Sequence, residues 1–296
     1  MPIVKCIAQH ILSLLQLKQH RPLFVGIQGP QGSGKSYTSS LLQNYLSSEP
    51  LNLRVGVLSI DDLYLPHAGL RSLAESNPEN RLWSGRGQPG THDLDLGVRI
   101  FAALKEGQAK IELPRFDKSL HNGEGDRLPM DGSGVIISQP PSLDVVLLEG
   151  WCVGFYPIGL EEIERTWYGD WADESARLGI VGLTTLSDVA KINEKLHDYA
   201  KLWSFLDLLV QLKPSPKLPS EAPSKYSLVY KWRLEQEHYM KSHNGGIGMS
   251  DDAVKAFVDR YIPGYVFFGA LDAKWAGRGL KIMLTEDREL VDFSAF

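Results

Sequence analysis

Apolar residues recur along the chain with two spacings, one typical of strands and the other typical of helices. Near-continuous apolar runs predict buried strands at residues 23–28, 52–59 and 142–149, because a strand covered on both faces lacks polar positions. Shorter runs predict strands at 111–114, 203–212 and 280–284. Spacings of three and four residues predict helices at 3–19, 37–46, 94–105, 185–201, 225–241 and 250–261. Because strands alternate with helices, we predict an α/β fold with a parallel, three-layer sheet.

Long segments without either spacing lie between these elements. Residues 66–93 and 115–134 are rich in glycine and polar residues, which predicts two loops inserted on the ligand side of the sheet. Residues 213–224 contain four prolines and three serines, which predicts an exposed linker or the hinge of a lid over residues 213–241. Thr185 and Asp188 are spaced as a capping box for the helix that follows. We predict one domain over residues 1–296.

The strongest motif follows the first predicted strand. Gly29, Gly34, Lys35 and Ser36 fit the phosphate-binding pattern G-x-x-x-x-G-K-[ST]. Backbone N–H groups of such a loop surround phosphate oxygens, and glycine permits their approach because it has no Cβ. A glycine turn that merely joins a strand to a helix is the alternative, but both flanking elements that the motif requires are predicted. The predicted nucleotide site comprises Gly29, Pro30, Gln31, Gly32, Ser33, Gly34, Lys35, Ser36 and Tyr37.

Within this loop, Lys35 can reach the β- and γ-phosphates of a nucleotide, and the Ser36 hydroxyl can bind Mg²⁺. Carboxylates stand at the ends of two other predicted strands. Asp61 and Asp62 follow the second strand, and one of them could accept a proton from an attacking hydroxyl. Glu149 ends a later strand and could orient Mg²⁺. Solvated loop acids, or an acid that caps the next turn, are the alternatives.

Composition narrows the class of protein. The 296 residues are 43% hydrophobic and 23% charged, as in an ordinary globular protein. The net charge of -5 provides no overall basic field, so we expect no nucleic-acid partner. The two cysteines form neither a disulfide framework nor a metal-ligand cluster. Because no apolar run reaches about 18 residues, we expect no membrane span and a cytoplasmic, or also nuclear, protein.

Six motifs in this order resemble the P-loop D-glycerate 3-kinase family of plants and fungi, and the yeast members described as probable ATP-dependent kinases look most similar. Pantothenate kinase and uridine kinase are more distantly similar. The resemblance covers about residues 20–270. The motifs are the phosphate loop at 29–36, SIDDLY at 59–64, GTHD at 90–93, PRFDKS at 114–119, LEGW at 148–151 and VYKWRLEQE at 229–237.

The resemblance implies a P-loop kinase fold that uses ATP and Mg²⁺. In the wider kinase group, the position of Asp61 is the catalytic base, that of Glu149 is the strand-end acid, and Arg233 lies on the lid helix. Asp62 is expected to point away from Asp61, because side chains alternate along an extended chain. The family implies that D-glycerate is converted to 3-phosphoglycerate. Predicted contacts of this anionic acceptor are Asp62, Tyr64, Arg86, His92, Arg115 and Lys118.

Other functions remain open alternatives. A regulatory GTPase needs a base-reading Asn-Lys-x-Asp, which the sequence lacks, and the Asp-x-x-Gly at 131–134 lies in a polar loop. A nucleotide-binding protein without turnover is disfavoured by the joint presence of Lys35, Ser36, Asp61 and Glu149. A kinase for pantothenate or a nucleoside shares the same chemistry, because acceptor specificity is expected to lie in the two long loops. The oligomeric state is not predicted.

Overall fold

The computed structural model describes residues 2–18, 20–215, 223–243, 245–246 and 248–296. The strands are β1 (Leu23–Gln28), β2 (Val55–Ser59), β3 (Lys110–Leu113), β4 (Phe116–Asp117), β5 (Asp126–Arg127), β6 (Val135–Ser138), β7 (Val145–Gly150), β8 (Leu208–Pro214), β9 (Gly279–Leu284) and β10 (Leu290–Ala295). The α-helices are α1 (Pro2–Leu17), α2 (Lys35–Ser47), α3 (His67–Glu75), α4 (Leu94–Glu106), α5 (Leu160–Thr166), α6 (Ala172–Leu178), α7 (Leu186–Trp203), α8 (Ser227–His243), α9 (Asp251–Asp259) and α10 (Ile262–Phe268).

Among the described residues, the main sheet contains six strands in the order β10-β9-β8-β1-β7-β2. The strands from β9 to β2 run parallel, whereas β10 pairs antiparallel with β9. Strand β1 lies inside the sheet, between β7 and β8. Two small antiparallel sheets, β3 with β6 and β4 with β5, lie outside the main sheet. The α/β prediction with a parallel sheet is confirmed, except at the antiparallel edge.

Both faces of the sheet are covered by helices. Every residue of β1 and of β7 is buried. Leu23, Val25 and Ile27 of β1 share one buried cluster with α1 and α2, whereas Phe24 belongs to the cluster on the opposite face, with α4 and α7. Because successive side chains of a strand point to opposite faces, the two clusters lie on opposite sides of the sheet. The sheet is therefore the middle of three layers, between two layers of helices. The near-continuous apolar runs in the sequence follow from this double burial.

Local sequence signals explain where several helices begin. Helix α2 follows Gly34, whose φ of 85° lies in the left-handed region that glycine adopts without strain. Asp93 caps α4 by accepting a hydrogen bond from the N–H of Leu96 (3.0 Å). Thr185 and Asp188 form the predicted capping box at the start of α7, so that prediction is confirmed.

Three expectations of secondary structure are wrong. The strand predicted at 203–212 begins only at Leu208, because α7 continues to Trp203, which is buried beside Tyr199. The strand at 280–284 is not the last, since β10 follows and pairs with it. Strands β4 and β5 lie within the loop predicted at 115–134 and pair with each other, although each is only two residues long. Strand β6 follows that loop and pairs with β3, which precedes it. Periodicity over a short window does not detect such pairs.

The predicted insertion and lid segments contain helices. Helix α3 lies in the segment 66–93, and α8 covers most of the helix predicted at 225–241. Residues 216–222, inside the predicted hinge at 213–224, lie outside the described residues. Within the described part of the chain, none of the helices is both long and apolar enough to traverse a lipid bilayer.

Thr185→Ala removes the oxygen that accepts the N–H of Asp188 (3.2 Å) at the start of α7. We expect the free energy of unfolding to fall by about 0.5–2 kcal/mol, the usual effect of losing a helix N-cap. Ser187→Ala is the matched control, because Ser187 is exposed and its hydroxyl has no hydrogen-bond partner among the described residues. Urea unfolding followed by circular dichroism measures both variants. Equal stability of the two variants would show that the cap contributes nothing.

Candidate active site

A cavity of about 660 Å³ lies at the carboxyl ends of β1, β2 and β7. Ser59 of β2 and Ile27 of β1 both pair with Glu149 of β7. The segments that follow these parallel strands therefore meet at one edge of the sheet, where open α/β sheets bind ligands. The remaining walls come from helices α3, α8 and α9 and from the segments 84–86 and 118–124.

The predicted phosphate loop closely contacts α8. Gly32 has a φ of 72°, and a Cβ built on it would lie 2.4 Å from the backbone carbonyl carbon of Trp232. No other residue type fits at that position without displacing the helix. The N–H of Gln31 donates to the hydroxyl of Tyr265 (3.1 Å), and Arg288 Nε donates to the carbonyl of Gly32 (2.6 Å). The loop is thus held by α8, α10 and the β9–β10 turn.

Lys35 and Ser36 stand where the motif requires. Lys35 Nζ donates to the carbonyl of Pro30 (2.9 Å), and Ser36 Oγ donates to Oε1 of Glu149 (2.8 Å). Burial lowers the pKa of Lys35, while the negative charges of Glu149 and Asp61 oppose that change. The side chain of Tyr37 is 65% exposed and does not line the cavity.

The residues present fit a nucleotide with Mg²⁺. The hydroxyl of Ser33 in the loop is buried and has no hydrogen-bond partner in the part of the chain that the structure describes, so it can donate to a phosphate oxygen. No group of three or more His, Cys, Asp or Glu side chains is arranged to hold a metal in the described part of the chain. Ser36 and Glu149 suit Mg²⁺ all the same, because this ion commonly takes one or two protein ligands and completes its shell with phosphates and water.

The two aspartates after β2 both face the cavity. They lie in a 3₁₀ turn, Ile60–Leu63, that is capped by Ser59. The alternation expected of an extended chain therefore does not apply. The expectation that Asp62 points away from Asp61 rested on that alternation, whereas both side chains line the cavity. Asp61 Oδ1 accepts a hydrogen bond from the Tyr64 hydroxyl (2.9 Å), and its Oδ2 forms an ion pair with Lys118. Asp62 Oδ1 accepts the N–H of Phe116 (3.1 Å).

The two neighbouring carboxyl groups have opposite pKa shifts. Burial raises the pKa of Asp61, but the charge and hydrogen bond of Lys118, aided by His92 and Tyr64, outweigh burial and bring it down to about 2. Burial raises the pKa of Asp62 to about 6, helped by the negative charge of Asp61 and opposed by the Phe116 N–H. Asp61 is therefore ionised throughout the physiological range, whereas Asp62 titrates close to it.

The predicted acceptor contacts divide into two groups. Tyr64, Arg86 and Lys118 line the cavity together with Asp62. Arg86 Nη1 donates to the carbonyl of Gly123 (2.6 Å) and also to that of Glu124.

His92 and Arg115 lie elsewhere. His92 is 5% exposed, contacts the Tyr199 hydroxyl through Nδ1 (2.5 Å) and stacks on Tyr64 at 4.6 Å. Burial lowers the pKa of His92 to about 4, so the ring is neutral at pH 7. Arg115 donates to Ser133 Oγ (3.0 Å) and does not line the cavity.

Arg233 projects from α8 into the cavity and is only 9% exposed. Its Nη1 lies 2.7 Å from Oε2 of Glu237, one helical turn away, without the angles of a hydrogen bond. Its guanidinium also lies over the ring of Phe257 at 5.3 Å. The ion pair with Glu237 balances its charge, while N–H donors remain available to a phosphate group.

Several cavity residues were missing from the sequence-based predictions. Arg260, at the end of α9, donates to Ser84 Oγ (2.9 Å), and Tyr261 follows it. Arg288 also escaped prediction, although it contacts the phosphate loop at Gly32. None of these three residues belongs to a recognisable motif. They lie more than 220 residues after the phosphate loop, and nothing in the sequence indicates that they lie close to it in the fold.

Comparison with known proteins extends the similarity beyond the phosphate loop. No family model matches the chain. The chain is 34% identical over 302 residues to an uncharacterized kinase of Schizosaccharomyces pombe, covering 97% of this chain and 98% of the relative. It is 38% identical over 257 residues to a probable ATP-dependent kinase of Saccharomyces cerevisiae, covering 83% and 78%. The solved structure of a D-glycerate 3-kinase from Cryptococcus neoformans is 36% identical, with a TM-score of 0.85 and 99% of each chain covered.

Asp62→Asn should stabilise the protein at pH 8. The folded-state pKa of Asp62 is raised from 3.8 to about 6, so its favourable contribution exists below pH 3.8 and is lost as pH rises through about 6. We expect a gain of at most about 3 kcal/mol at pH 8, since one pKa unit corresponds to about 1.4 kcal/mol. The gain should shrink steadily as the pH is lowered from 6 to 4.

Urea unfolding at pH 8, 6 and 4 measures this gain. Asp61→Asn is the control with the opposite sign. The pKa of Asp61 is lowered on folding, so its charge stabilises the protein at pH 8 and that stability is lost only in strong acid. If Asp62→Asn is less stable than wild type at pH 8, the ionised Asp62 does not destabilise the folded protein.

Proposed function

The chain belongs to the P-loop D-glycerate 3-kinase family, and from this premise we propose that it transfers the γ-phosphoryl group of ATP to D-glycerate, giving 3-phosphoglycerate. The chain is an ATP-dependent kinase of the group that includes glycerate and pantothenate kinases. The observation that carries the proposal is the meeting of the phosphate loop, the Asp61–Asp62 pair and Glu149 in one cavity. A protein that only binds nucleotide has no need of such an assembly.

The phosphate loop is proposed to hold ATP through its backbone. Backbone N–H groups of the loop and of the start of α2 would face the phosphate oxygens, where the helix dipole favours negative charge. Pro30 has no N–H, and the N–H groups of Gln31 and Ser33 are already bonded within the protein. Lys35 exchanges its bond with the Pro30 carbonyl for the β- and γ-phosphates. Ser36 and Glu149 would hold Mg²⁺. When bound, this ion offsets the negative charge of the phosphates.

Asp61 is proposed to orient the acceptor hydroxyl and to accept its proton. As the hydroxyl oxygen bonds to the γ-phosphorus, the bond from that phosphorus to the β–γ bridging oxygen breaks, and Asp61 takes the hydroxyl proton. A carboxylate with a pKa of about 2 is a weak base. Because phosphoryl transfer passes through a loose transition state, orientation of the hydroxyl matters more than basicity. Tyr64 and Lys118 hold the carboxylate in place for that task.

Arg233 is proposed to offset charge on the transferring group. Its position on α8, directly above the glycine loop, would let the helix close over the phosphates and exclude water. Glu237 balances the arginine before a nucleotide arrives. The remaining N–H donors of the guanidinium would bind the phosphate while Glu237 stays beside Nη1, so neither buried charge loses its counter-ion.

A test of the proposal is an acceptor screen with Mg-ATP over D-glycerate, pantothenate and nucleosides. We expect ADP release that depends on D-glycerate, with 3-phosphoglycerate identified by mass spectrometry. Lys35→Ala should lower kcat/KM at least about 100-fold, as loss of one donor to transition-state charge typically does. Lys201→Ala, on an exposed side chain, is the control. Turnover of only pantothenate or a nucleoside would refute glycerate as the substrate, and acceptor-independent ATP binding without turnover would refute kinase activity.

Substitution of each aspartate tests which one is the base. Asp61→Asn should lower kcat by about 10²–10⁴, the usual contribution of general-base catalysis, and leave ATP affinity nearly unchanged. Asp62→Asn should act more on KM for the acceptor. Asp62 is the rival, because its pKa of about 6 and its second oxygen suit a base. Steady-state kinetics with separate ATP titrations decide, and a larger loss of kcat in Asp62→Asn would transfer the role to Asp62.

A further inference from the structure

The cationic side chains along the cavity differ in whether a carboxylate neutralises them. Three are paired within the protein: Lys118 with Asp61, Arg233 with Glu237, and Arg71 with Glu75. Lys35 belongs to the phosphate loop. Arg86 and Arg260 also line the cavity, and neither forms an ion pair with an acid of the described residues. These two arginines therefore carry positive charge that a ligand can use.

Both arginines are held in position by neutral groups. Arg260 Nη1 donates to Ser84 Oγ (2.9 Å), and its Nη2 lies 3.5 Å from the carbonyl oxygen of Arg86. Arg86 Nη1 donates to the carbonyls of residues 123 and 124, and its guanidinium lies over the Phe116 ring at 5.7 Å. Because a guanidinium has five N–H donors, each arginine keeps donors for a ligand. Their orientation is fixed before any ligand binds.

A tyrosine side chain lines the cavity together with the two arginines. Tyr261 is 2% exposed and lines the cavity, but its hydroxyl has no hydrogen-bond partner among the described residues. Its ring packs edge-on against Trp151 at 4.8 Å. Burial raises the pKa of Tyr261, against the positive charges of Arg260, Lys118 and Arg86, so the phenol remains a proton donor. The hydroxyl is therefore open to a ligand in the cavity, to which it can donate a hydrogen bond.

We propose that Arg86, Arg260 and Tyr261 bind the carboxylate of the acceptor, and that this contact selects short hydroxy acids over neutral polyols. The proposal rests on the kinase function proposed above. A planar carboxylate matches the paired donors of guanidinium groups and accepts a further bond from a phenol. Tyr261 packs against Trp151, which follows Glu149 by two residues, and both line the same cavity as Asp61. This contact places the group next to the reacting end of the cavity. An acceptor anchored there would direct its hydroxyl towards Asp61.

The kinetic test compares D-glycerate with glycerol, which has a hydroxymethyl group in place of the carboxylate. Arg260→Gln should raise KM for D-glycerate about 10- to 100-fold, the usual loss for hydrogen bonds to a charged group. It should change kcat/KM for glycerol less than about 3-fold, because the lost contact serves only the carboxylate. Arg260→Lys should recover part of the loss. Arg71→Gln is the matched control, since Arg71 lines the same cavity but is paired with Glu75.

Tyr261→Phe provides a second variant in case Arg260→Gln does not fold. It keeps the ring packed against Trp151 and removes only the hydroxyl. We expect a smaller rise, about 3- to 30-fold, in KM for D-glycerate and none for glycerol. Thermal melting establishes that each variant is folded before kinetics are measured. If Arg260→Gln and Tyr261→Phe affect D-glycerate no more than Arg71→Gln does, the carboxylate site is refuted.

A binding experiment separates this inference from the proposed reaction. Calorimetry with Mg-ADP compares D-3-phosphoglycerate with glycerol 3-phosphate, which lacks the carboxylate. Wild type should bind D-3-phosphoglycerate at least about 10-fold more tightly, and Arg260→Gln should remove the difference. That result without turnover of D-glycerate would refute the glycerate reaction and support the site. Turnover of D-glycerate without this Arg260-dependent preference would support the reaction and refute the site.

Discussion

Parallel pairing of β2, β7 and β1 is the constraint on which the site depends. Its register sets Ser59 and Ile27 opposite Glu149, so three separate segments of the chain end at the same edge of the sheet. Only this pairing brings together the phosphate loop, the aspartate pair and Glu149, which accepts a hydrogen bond from the Ser36 hydroxyl. The pairing is stable because all residues of β1 and β7 are buried between two layers of helices.

Charge balance around the cavity distinguishes groups that are satisfied within the protein from groups that await a ligand. Lys118 neutralises Asp61, and Glu237 neutralises Arg233. Asp62 forms no ion pair with a described residue, and burial together with the charge of Asp61 raises its pKa to about 6. A functional cavity thus contains unfavourable charge that the buried sheet must offset. The positive and negative groups left over are those that a nucleotide, a metal ion and an acidic acceptor could neutralise.

Helix α8 and the phosphate loop form a second unit that depends on close packing. Gly32 allows the backbone at Trp232 to approach, and Arg288 contacts the carbonyls of both residues. Arg288 also forms an ion pair with Glu235 of α8. A movement of α8 would therefore displace the phosphate loop through these contacts. This connection explains why the turn between β9 and β10, remote from every motif, belongs to the structure around the site.

Sequence alone determined the α/β class, most helix positions, the capping box of α7, the phosphate loop and the strand-end acids. Each of these features depends on periodicity or on residues adjacent in the chain, such as Lys35 and Ser36. Tertiary structure alone decided that Asp61 and Asp62 share a 3₁₀ turn, and that His92 is buried and neutral. It also placed Arg260 beside Ser84, which lies 176 residues away in the sequence. Charge state and proximity arise from burial and from contacts between distant segments, and neither has a local signal in the chain.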